Sequence, residues 1–310
     1  MSNAPVALRG NYSDLYGPSM LPVLEELFRS EIAMHPSRRS QLFKEVTTDR
    51  DIWQYSELHD MPLFSSVAEG TDYTFQRPKA GANKTLTISK FGLGFSISEE
   101  AVDDGRFDLI SDALRKMARS AVETQEIAGM NIFNNGFSAE TTADGAAVFS
   151  TAHTLPSGLS FRNKASTDSD LSQTSLDAAL TDFETQQIGD SGIIYRNIPK
   201  ILLVHSSNKR YAKELVGSEL KPDSNDNNLN SLKEDGLMVV SSPHLTDLDA
   251  WFVLGSPMDT GLRIIKRKGI ETKASDPAVG FMTDSMYFKS RYREAIGVMH
   301  GYGIWGSSGA

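Results

Sequence analysis

The sequence predicts an α+β protein with one very long helix, and three observations support that fold class. Across residues 104–134, apolar residues recur at three- and four-residue steps, which predicts a helix. Across residues 70–97 and 263–305, apolar residues alternate with polar ones, as they do in half-buried strands. Residues 171–255 mix helix-like and strand-like segments, which is typical of a separate α/β domain.

The first 45 residues are expected to form an arm that carries one amphipathic helix. The apolar residues at helical spacing are Leu21, Leu24, Leu27, Phe28 and Ile32. Pro22 suits a first helical turn and Pro36 ends the pattern. Because one short helix cannot form a core, this arm must lie on another surface.

Residues 70–97 predict a long hairpin with a basic, glycine-containing tip. Tyr73, Phe75 and Arg77 form the first alternating run, the turn-rich PKAGANK follows, and alternation resumes at Leu86. A two-stranded hairpin is only marginally stable alone in water, and its aromatic face is not covered by local sequence. The hairpin therefore needs a neighbour.

The helix predicted at residues 104–134 is the strongest single signal in the chain. Asp103 and Asp104 lie near its start, where the helix dipole favours negative charge, and Gly136 follows its end. At 1.5 Å per residue, a helix of roughly 30 residues is about 45 Å long, which is more than a compact domain of this size requires. We interpret it as a core helix and not as a cofactor-binding helix.

The α/β segment and the chain after it supply the remaining elements. First, we expect a helix that begins at Thr174 with Asp177 and buries Leu176, Leu180 and Phe183. A strand at 200–205 and then a helix opened by Ser206 or Ser207 should follow, and the residues that this helix carries are Tyr211, Leu215 and Val216. Two further strands are expected at 237–240 and 250–255. Three or four strands after Arg263 are expected to form a sheet that packs on the long helix.

Composition excludes several classes of protein. The chain has 310 residues, no cysteine and a formal net charge of -9, so disulfides, thiolate metal sites and broad binding to phosphate backbones are not expected. No apolar run approaches the roughly 18 residues of a membrane span. The N-terminus shows no export signal, so we expect the protein to act in the cytoplasm where it is made.

Two short stretches look like parts of a serine protease. STAHTLPSG contains His153, and GDSG contains Ser191, which suggests a base and a nucleophile. The two residues lie too close in the sequence to leave room for the intervening Asp and the separate barrels of such an enzyme. We interpret GDSG as a turn in which Gly189 caps a helix, Asp190 and Ser191 form the turn, and a strand follows.

No metal, cofactor or catalytic site is predicted elsewhere. The other histidines are His35, His59, His205, His244 and His300, and no two of them have the spacing of a helical metal pair. DSNDNN lacks the Gly and Glu of a calcium loop. FGLGF, at residues 91–95, lies in a strand pattern and is interpreted as a bulge.

The order of these elements resembles the major capsid proteins of tailed bacteriophages, which have the Hong Kong 97-type fold, and most of all the Mu-like major head subunit family. The stretches that carry the resemblance are SEEAVDDGRFDLI, NIFNNGF, VFSTAHTLPSGLSFRN, IPKILLVHSSNKRYAKELVGS, VVSSPHLTDLDAWFVLGSP and YREAIGVMHGYGIWGSSGA. The resemblance covers nearly the whole chain past residue 20. In that family these stretches are structural, so STAHTLPSG is expected to be a connector.

The resemblance implies a division of the chain into capsid domains. These are an N-terminal arm (1–45), an extended loop region (46–100), a peripheral domain with a spine helix (101–170), an axial α/β domain (171–255) and a closing sheet of the peripheral domain (256–310). It implies a major capsid protein that forms pentamers and hexamers of an icosahedral shell around the genome, and not an enzyme. An encapsulin-type protein nanocompartment is the alternative, and a serine hydrolase using Ser191 and His153 is a remote one.

The implied partners are further copies of the chain, a separate scaffolding protein, portal and decoration proteins, and packaged double-stranded DNA bound without sequence specificity, with no membrane. The implied location is the virion, after assembly in the host cytoplasm. An acidic shell would hold DNA without tight binding. Arg77, Lys79 and Lys84 are expected to contact an acidic surface of an adjacent subunit. The full set of expected interface residues is Leu24, Leu27, Phe28, Tyr73, Phe75, Arg77, Lys79 and Lys84.

Overall fold

The computed structural model describes the chain at residues 20–58, 60–77, 80–98, 100, 104, 107–219, 229–274 and 285–310. It contains two compact units. Unit 1 takes in the chain up to Ser37, Ile88–Glu126 and Lys266–Glu294, and unit 2 takes in Arg38–Thr87, Ile127–Ile265 and Ala295–Ala310.

The secondary structure contains both helices and strands. The helices are α1 (Met20–Met34), α2 (Arg39–Leu42), α3 (Phe107–Asn134), α4 (Gln173–Thr185) and α5 (Lys209–Gly217), with a 3-10 turn at Ser231–Lys233. The strands are β1 (Lys44–Thr47), β2 (Ile52–Leu58), β3 (Ala80–Thr87), β4 (Ser89–Ser98), β5 (His153–Thr154), β6 (Ser160–Phe161), β7 (Ile201–His205), β8 (Met238–Ser242), β9 (Trp251–Leu254), β10 (Leu262–Ala274), β11 (Ser285–Val298) and β12 (Ile304–Ser307).

Four sheets form among the described residues. Two have four strands, in the orders β1-β10-β11-β4 and β12-β9-β7-β8, and two have two strands, β2-β3 and β5-β6. The predicted long helix is confirmed as α3, whose 28 residues make it about 42 Å long at the usual rise per residue.

The core of unit 1 lies between α3 and the strand pair β4–β11. Its buried members are Phe28, Ile110, Leu114, Met117, Ala118, Met286 and Phe288, with Phe95, Ile97, Ile32 and Ile270 packed against them. Phe95 lies directly opposite Phe288, and their rings stack 5.1 Å apart. Alternate side chains of β4 and β11 thus pack against the apolar face of α3 in one layer.

The central sheet of unit 2 is buried on both faces. β7 pairs in parallel with β8 and antiparallel with β9. Alternate residues of β7 and β9 enter two different core clusters: Leu203 and Phe252 belong to one, and Leu202 and Trp251 belong to the other. This burial explains why these strands are continuous apolar runs and not alternating ones.

The predicted hairpin is wrong in its first arm. Residues 71–77 form no strand, and β3 begins at Ala80, inside the predicted turn. The strand that pairs with β3 is β2, which lies before the loop, and Trp53 lies opposite Leu86. β4 then pairs with β11. The alternation of Tyr73, Phe75 and Arg77 is a surface pattern and not a strand pattern.

Smaller differences concern helix ends and one strand. α4 is capped by Ser172, whose hydroxyl accepts a hydrogen bond from the Ser175 amide at 3.2 Å, and not by Thr174. α4 ends at Thr185 with Gln186 as its C-cap, so Gly189 is not its cap. β12, predicted to belong to the closing sheet, pairs with β9 instead.

Candidate subunit-interface surfaces

The loop between β2 and β3 exposes an unusual amount of apolar surface. Residues 60–77, here called the hairpin loop, contain no helix or strand. Its large exposed apolar residues are Met61, Leu63, Phe64, Val67, Tyr73 and Phe75. The Phe64 side chain is fully exposed, and Phe75 is 91% exposed. Contiguous apolar surface of this kind marks an interaction site, because water disfavours it.

The charged residues of the hairpin loop are mostly acidic. The loop contains three carboxylates, Asp60, Glu69 and Asp72, and one cation, Arg77. Lys84, predicted at a basic tip, lies in β3 opposite Tyr55. The predicted basic tip is therefore wrong for Lys84.

Lys84 contacts the stretch of chain that follows α3. Its Nζ donates to the Thr141 carbonyl at 2.5 Å. Burial lowers the pKa of Lys84, while the nearby carboxylates of Glu140 and Asp144 act in the opposite direction. The side chain thus fastens β3 to the chain after α3.

A basic surface lies on the outer side of the β4–β11 pair in unit 1. Lys90 lies directly opposite Arg293, Gly92 opposite Arg291 and Gly94 opposite Lys289. Because opposed residues share one face of an antiparallel pair, the cations Lys90, Lys289, Arg291 and Arg293 form one surface, here called the basic face.

The basic face has its charges in an unfavourable arrangement. Like charges directly opposite each other destabilise a strand pair, and Lys90 and Arg293 stand in that relation. Among the described residues, Glu271 forms ion pairs with Arg291, at 3.5 Å, and with Lys268, at 3.7 Å. An anionic partner would relieve this repulsion.

FGLGF forms no bulge, because the β4–β11 register runs without a shift. Its glycines serve close packing instead. A Cβ at Gly94 would lie 2.8 Å from the Phe288 carbonyl oxygen, and one at Gly92 would lie 3.0 Å from that of Ser290.

The structure distributes the predicted interface residues among different environments. Tyr73, Phe75 and Arg77 are exposed in the hairpin loop, Leu27 is half-buried, and Phe28 lies in the core of unit 1 at 2% exposure. The Leu24 side chain and Lys79 lie outside the described residues. Burial of Phe28 shows that α1 packs its apolar face inside its own unit.

The two protease-like stretches, STAHTLPSG and GDSG, contact each other and have a structural role. Gly192 has a φ of +78°, and its amide donates to the Gly189 carbonyl at 2.9 Å, so the turn itself is confirmed. The strand expected directly after it is wrong, because residues 193–200 form only an isolated bridge through Ile194. Asp190 Oδ1 accepts a hydrogen bond from the Ser157 amide at 2.7 Å, which joins GDSG to STAHTLPSG. Ser191 is exposed.

His153 is buried and both of its ring nitrogens are engaged. Nδ1 lies 2.8 Å from Asp144 Oδ2, and Nε2 lies 3.2 Å from Asn163 Oδ1. Burial alone would raise the pKa of Asp144, but hydrogen bonds from His153 and Thr142 hold it below its usual range. A base for Ser191 would need a free nitrogen, so the remote serine hydrolase interpretation has no support in this geometry.

Asn163 is the centre of this buried network and was missed by the sequence analysis. Its Oδ1 accepts from the Ser150 amide at 2.8 Å, and its Nδ2 donates to the carbonyls of Val148 at 2.7 Å and Gly301 at 3.1 Å. No spacing rule could have revealed it, because its partners come from irregular chain.

In the described ranges, no group of three or more His, Cys, Asp or Glu side chains is placed to hold a metal ion. Of the helices that the structure describes, none combines the length and apolarity needed to cross a membrane.

The chain matches one protein family over most of its length. A family model described as "Phage capsid protein" matches residues 82–306. Among curated proteins, no significant match was found.

Solved structures show the same fold at low sequence identity. The capsid of the cyanophage P-SCSP1u has a TM-score of 0.62 and 12% identity, covering 89% of this chain and 88% of that one. A structure of Mycobacterium phage Bobi has a TM-score of 0.54 and 15% identity, with 87% and 89% covered. A virus-like particle from Pyrococcus furiosus has a TM-score of 0.53 and 12% identity, with 93% and 99% covered. The predicted Hong Kong 97-type α+β fold is confirmed.

Proposed function

Since the chain belongs to the phage capsid protein family, we propose that it is the major capsid protein of a tailed double-stranded DNA bacteriophage and that its hairpin loop joins one copy to the next. The observation that supports this role is the exposed apolar surface of the hairpin loop, which one subunit leaves in water. Association of identical copies in a closed symmetric shell would cover that surface in every copy.

The basic face supplies a second surface with complementary charge. The hairpin loop carries Asp60, Glu69 and Asp72 beside its aromatic residues, and the basic face carries an excess of cations. We propose that the hairpin loop of one copy lies against the basic face of another. The apolar contacts would supply most of the free energy, and the charges would set register and specificity.

Membership of the family supports a wider role. The copies would form pentamers and hexamers of an icosahedral shell in the host cytoplasm, with a scaffolding protein during assembly and with portal and decoration proteins. The shell would hold double-stranded DNA without reading its sequence. The protein would act by assembly and not as an enzyme, and its location would be the virion.

An encapsulin-type shell is the second candidate. The similarity to a virus-like particle from Pyrococcus furiosus favours keeping it. The two candidates differ in content, because a viral capsid holds DNA and a nanocompartment holds protein. Nuclease-protected DNA in particles from infected or induced cells would support the capsid, and protein cargo without DNA would support the nanocompartment.

Electron microscopy of the purified full chain tests the proposal. We expect closed shells from the natural sequence and none from the double variant Phe64→Ser/Phe75→Ser. Met258→Ser is the matched control, because Met258 is also exposed, at 65%, but lies outside the hairpin loop. A natural chain that stays monomeric at high concentration would contradict the proposed function. Normal shells from the double variant would contradict the role of the hairpin loop.

A further inference from the structure

We propose that Asp60 anchors the hairpin loop to the GDSG turn and so sets the direction in which the loop leaves the subunit. The proposal gives a role to the motif that first looked like a protease signature. Its consequence for assembly rests on the proposed function, whereas the anchor itself is a property of the single chain.

Both carboxylate oxygens of Asp60 are used in this contact. Oδ1 accepts a hydrogen bond from the Tyr195 hydroxyl. Oδ2 lies so close to the backbone of Gly189 that a methyl group built there would overlap it. A side chain at the first glycine of GDSG would therefore have to displace the Asp60 carboxylate, which occupies that space.

The turn that receives Asp60 is held from several sides. The Gly189 amide donates to the Ile193 carbonyl at 2.8 Å, and Asp190 is held by the Ser157 amide at 2.7 Å. Residues Ile188 and Ile194 form a β-bridge across the turn. A turn fixed in this way can serve as a rigid point of attachment.

Tyr195 connects the anchor to the aromatic core of unit 2. Its ring lies 4.6 Å from that of Tyr302, which stacks on Phe161 at 4.3 Å. Burial, and then the hydrogen bond to Asp60, raise the pKa of Tyr195 far above its ordinary value. The phenol therefore stays protonated and remains a donor to Asp60.

The hairpin loop has little other internal support. In the described residues 61–77, hydrogen bonds are confined to the turn in which Thr71 bonds to the Ala68 carbonyl through its amide at 3.1 Å and its hydroxyl at 2.7 Å. Asp60 lies at the start of this stretch, two residues after the end of β2. Asp60 is thus a positioning residue for the apolar side chains that follow.

Spin-label distances on the unassembled subunit test the anchor directly. The chain has no cysteine, so Ser65→Cys and Lys213→Cys place labels only in the hairpin loop and on α5. We expect a narrow distance distribution in the parent and in the control Ser191→Ala. Asp60→Ala and Gly189→Ala should each make it about twofold wider, because each removes the same contact.

The double variant Asp60→Ala/Gly189→Ala gives the sharpest outcome. If the carboxylate is what excludes a side chain at position 189, the distance distribution of the double variant should be no wider than that of Asp60→Ala alone. Circular dichroism confirms folding, and Tyr195→Phe replaces Gly189→Ala if that variant does not fold. A parent distribution already as wide as that of Asp60→Ala would overturn the anchor, and so would fully additive effects.

Assembly is then measured separately. Asp60→Ala should reduce the yield of closed shells about tenfold without changing the melting temperature by more than about 2 °C. Wider distances with normal assembly would overturn the assembly consequence and leave the anchor standing. Failure of the natural chain to assemble would count against the proposed function and not against the anchor.

Discussion

Strand β9 and the hairpin loop are both rich in large apolar residues, yet their environments are opposite. Phe252 in β9 is 1% exposed and is surrounded by other aromatic rings, whereas Phe64 in the hairpin loop is fully exposed. β9 pairs with β7 and β12 in the sheet, while the hairpin loop pairs with no strand among the described residues. Strand pairing, and not hydrophobicity, therefore separates the buried segment from the exposed one.

The largest expected effect on the free energy of unfolding comes from replacing Phe252 with alanine, and Phe64 is the exposed residue for comparison. Phe252→Ala should lower the free energy of unfolding by about 3–5 kcal/mol, because it leaves a cavity between Phe133 and Phe149. Phe64→Ala should change it by less than about 0.5 kcal/mol. Urea unfolding of the unassembled subunit measures both, and equal losses would remove the distinction between core and interface.

Acid should lower the free energy of unfolding through His300, which lies outside the hairpin loop. Burial, and then the charge of Arg263, lower the pKa of His300 to about 4. The unfolded chain binds this proton near pH 6.5 and the folded chain does not, so stability present above pH 6.5 is lost as the pH falls toward 4.

The loss from His300 amounts to about 3 kcal/mol at most. His300→Gln should flatten the dependence of the unfolding free energy on pH between about 6.5 and 4.5, measured in urea. An unchanged slope in the variant would show that His300 does not carry the effect.

Removing the buried amide tests whether the protease-like stretch is structural. Asn163→Ala leaves the Ser150 amide and two carbonyls without a partner, which should cost about 2–3 kcal/mol of unfolding free energy. Ser191→Ala is the control and should cost nothing measurable. A cost at position 191 equal to that at 163 would contradict this assignment.

The smallest effect on stability is expected at the charged surfaces, where the effect on assembly is selective. Arg293→Glu should leave the unfolding free energy within about 1 kcal/mol, because Lys90 opposite it then gains an ion pair. Shell yield should fall and should become less sensitive to salt. Light scattering across a salt series checks this, with Lys209→Glu on α5 as the control. Equal losses in both variants would argue against a special role for the basic face.

Local periodicity was enough to predict the elements that are long or fully buried. α3 was predicted to within three residues of its start, because its repeat of apolar residues runs through many turns. β7 and β9 were predicted because a short apolar run flanked by turns suits a strand covered on both faces.

Pairings between distant or irregular segments were not predictable. β2 and β3 are joined across the whole hairpin loop, and nothing local to Tyr73 or Phe75 distinguishes a missing partner strand from a present one. The contacts of Asp60 with Gly189 and of His153 with Asn163 depend on turns that only the folded chain brings together.

The central claim is that the apolar side chains of the hairpin loop are buried by a second copy of the chain. A cryo-electron microscopy map of the assembled particle, at a resolution that shows side chains, tests this most directly. The account predicts that Phe64 and Phe75 of each subunit lie in contact with a neighbouring copy. Closed particles in which both side chains remain in solvent would contradict it.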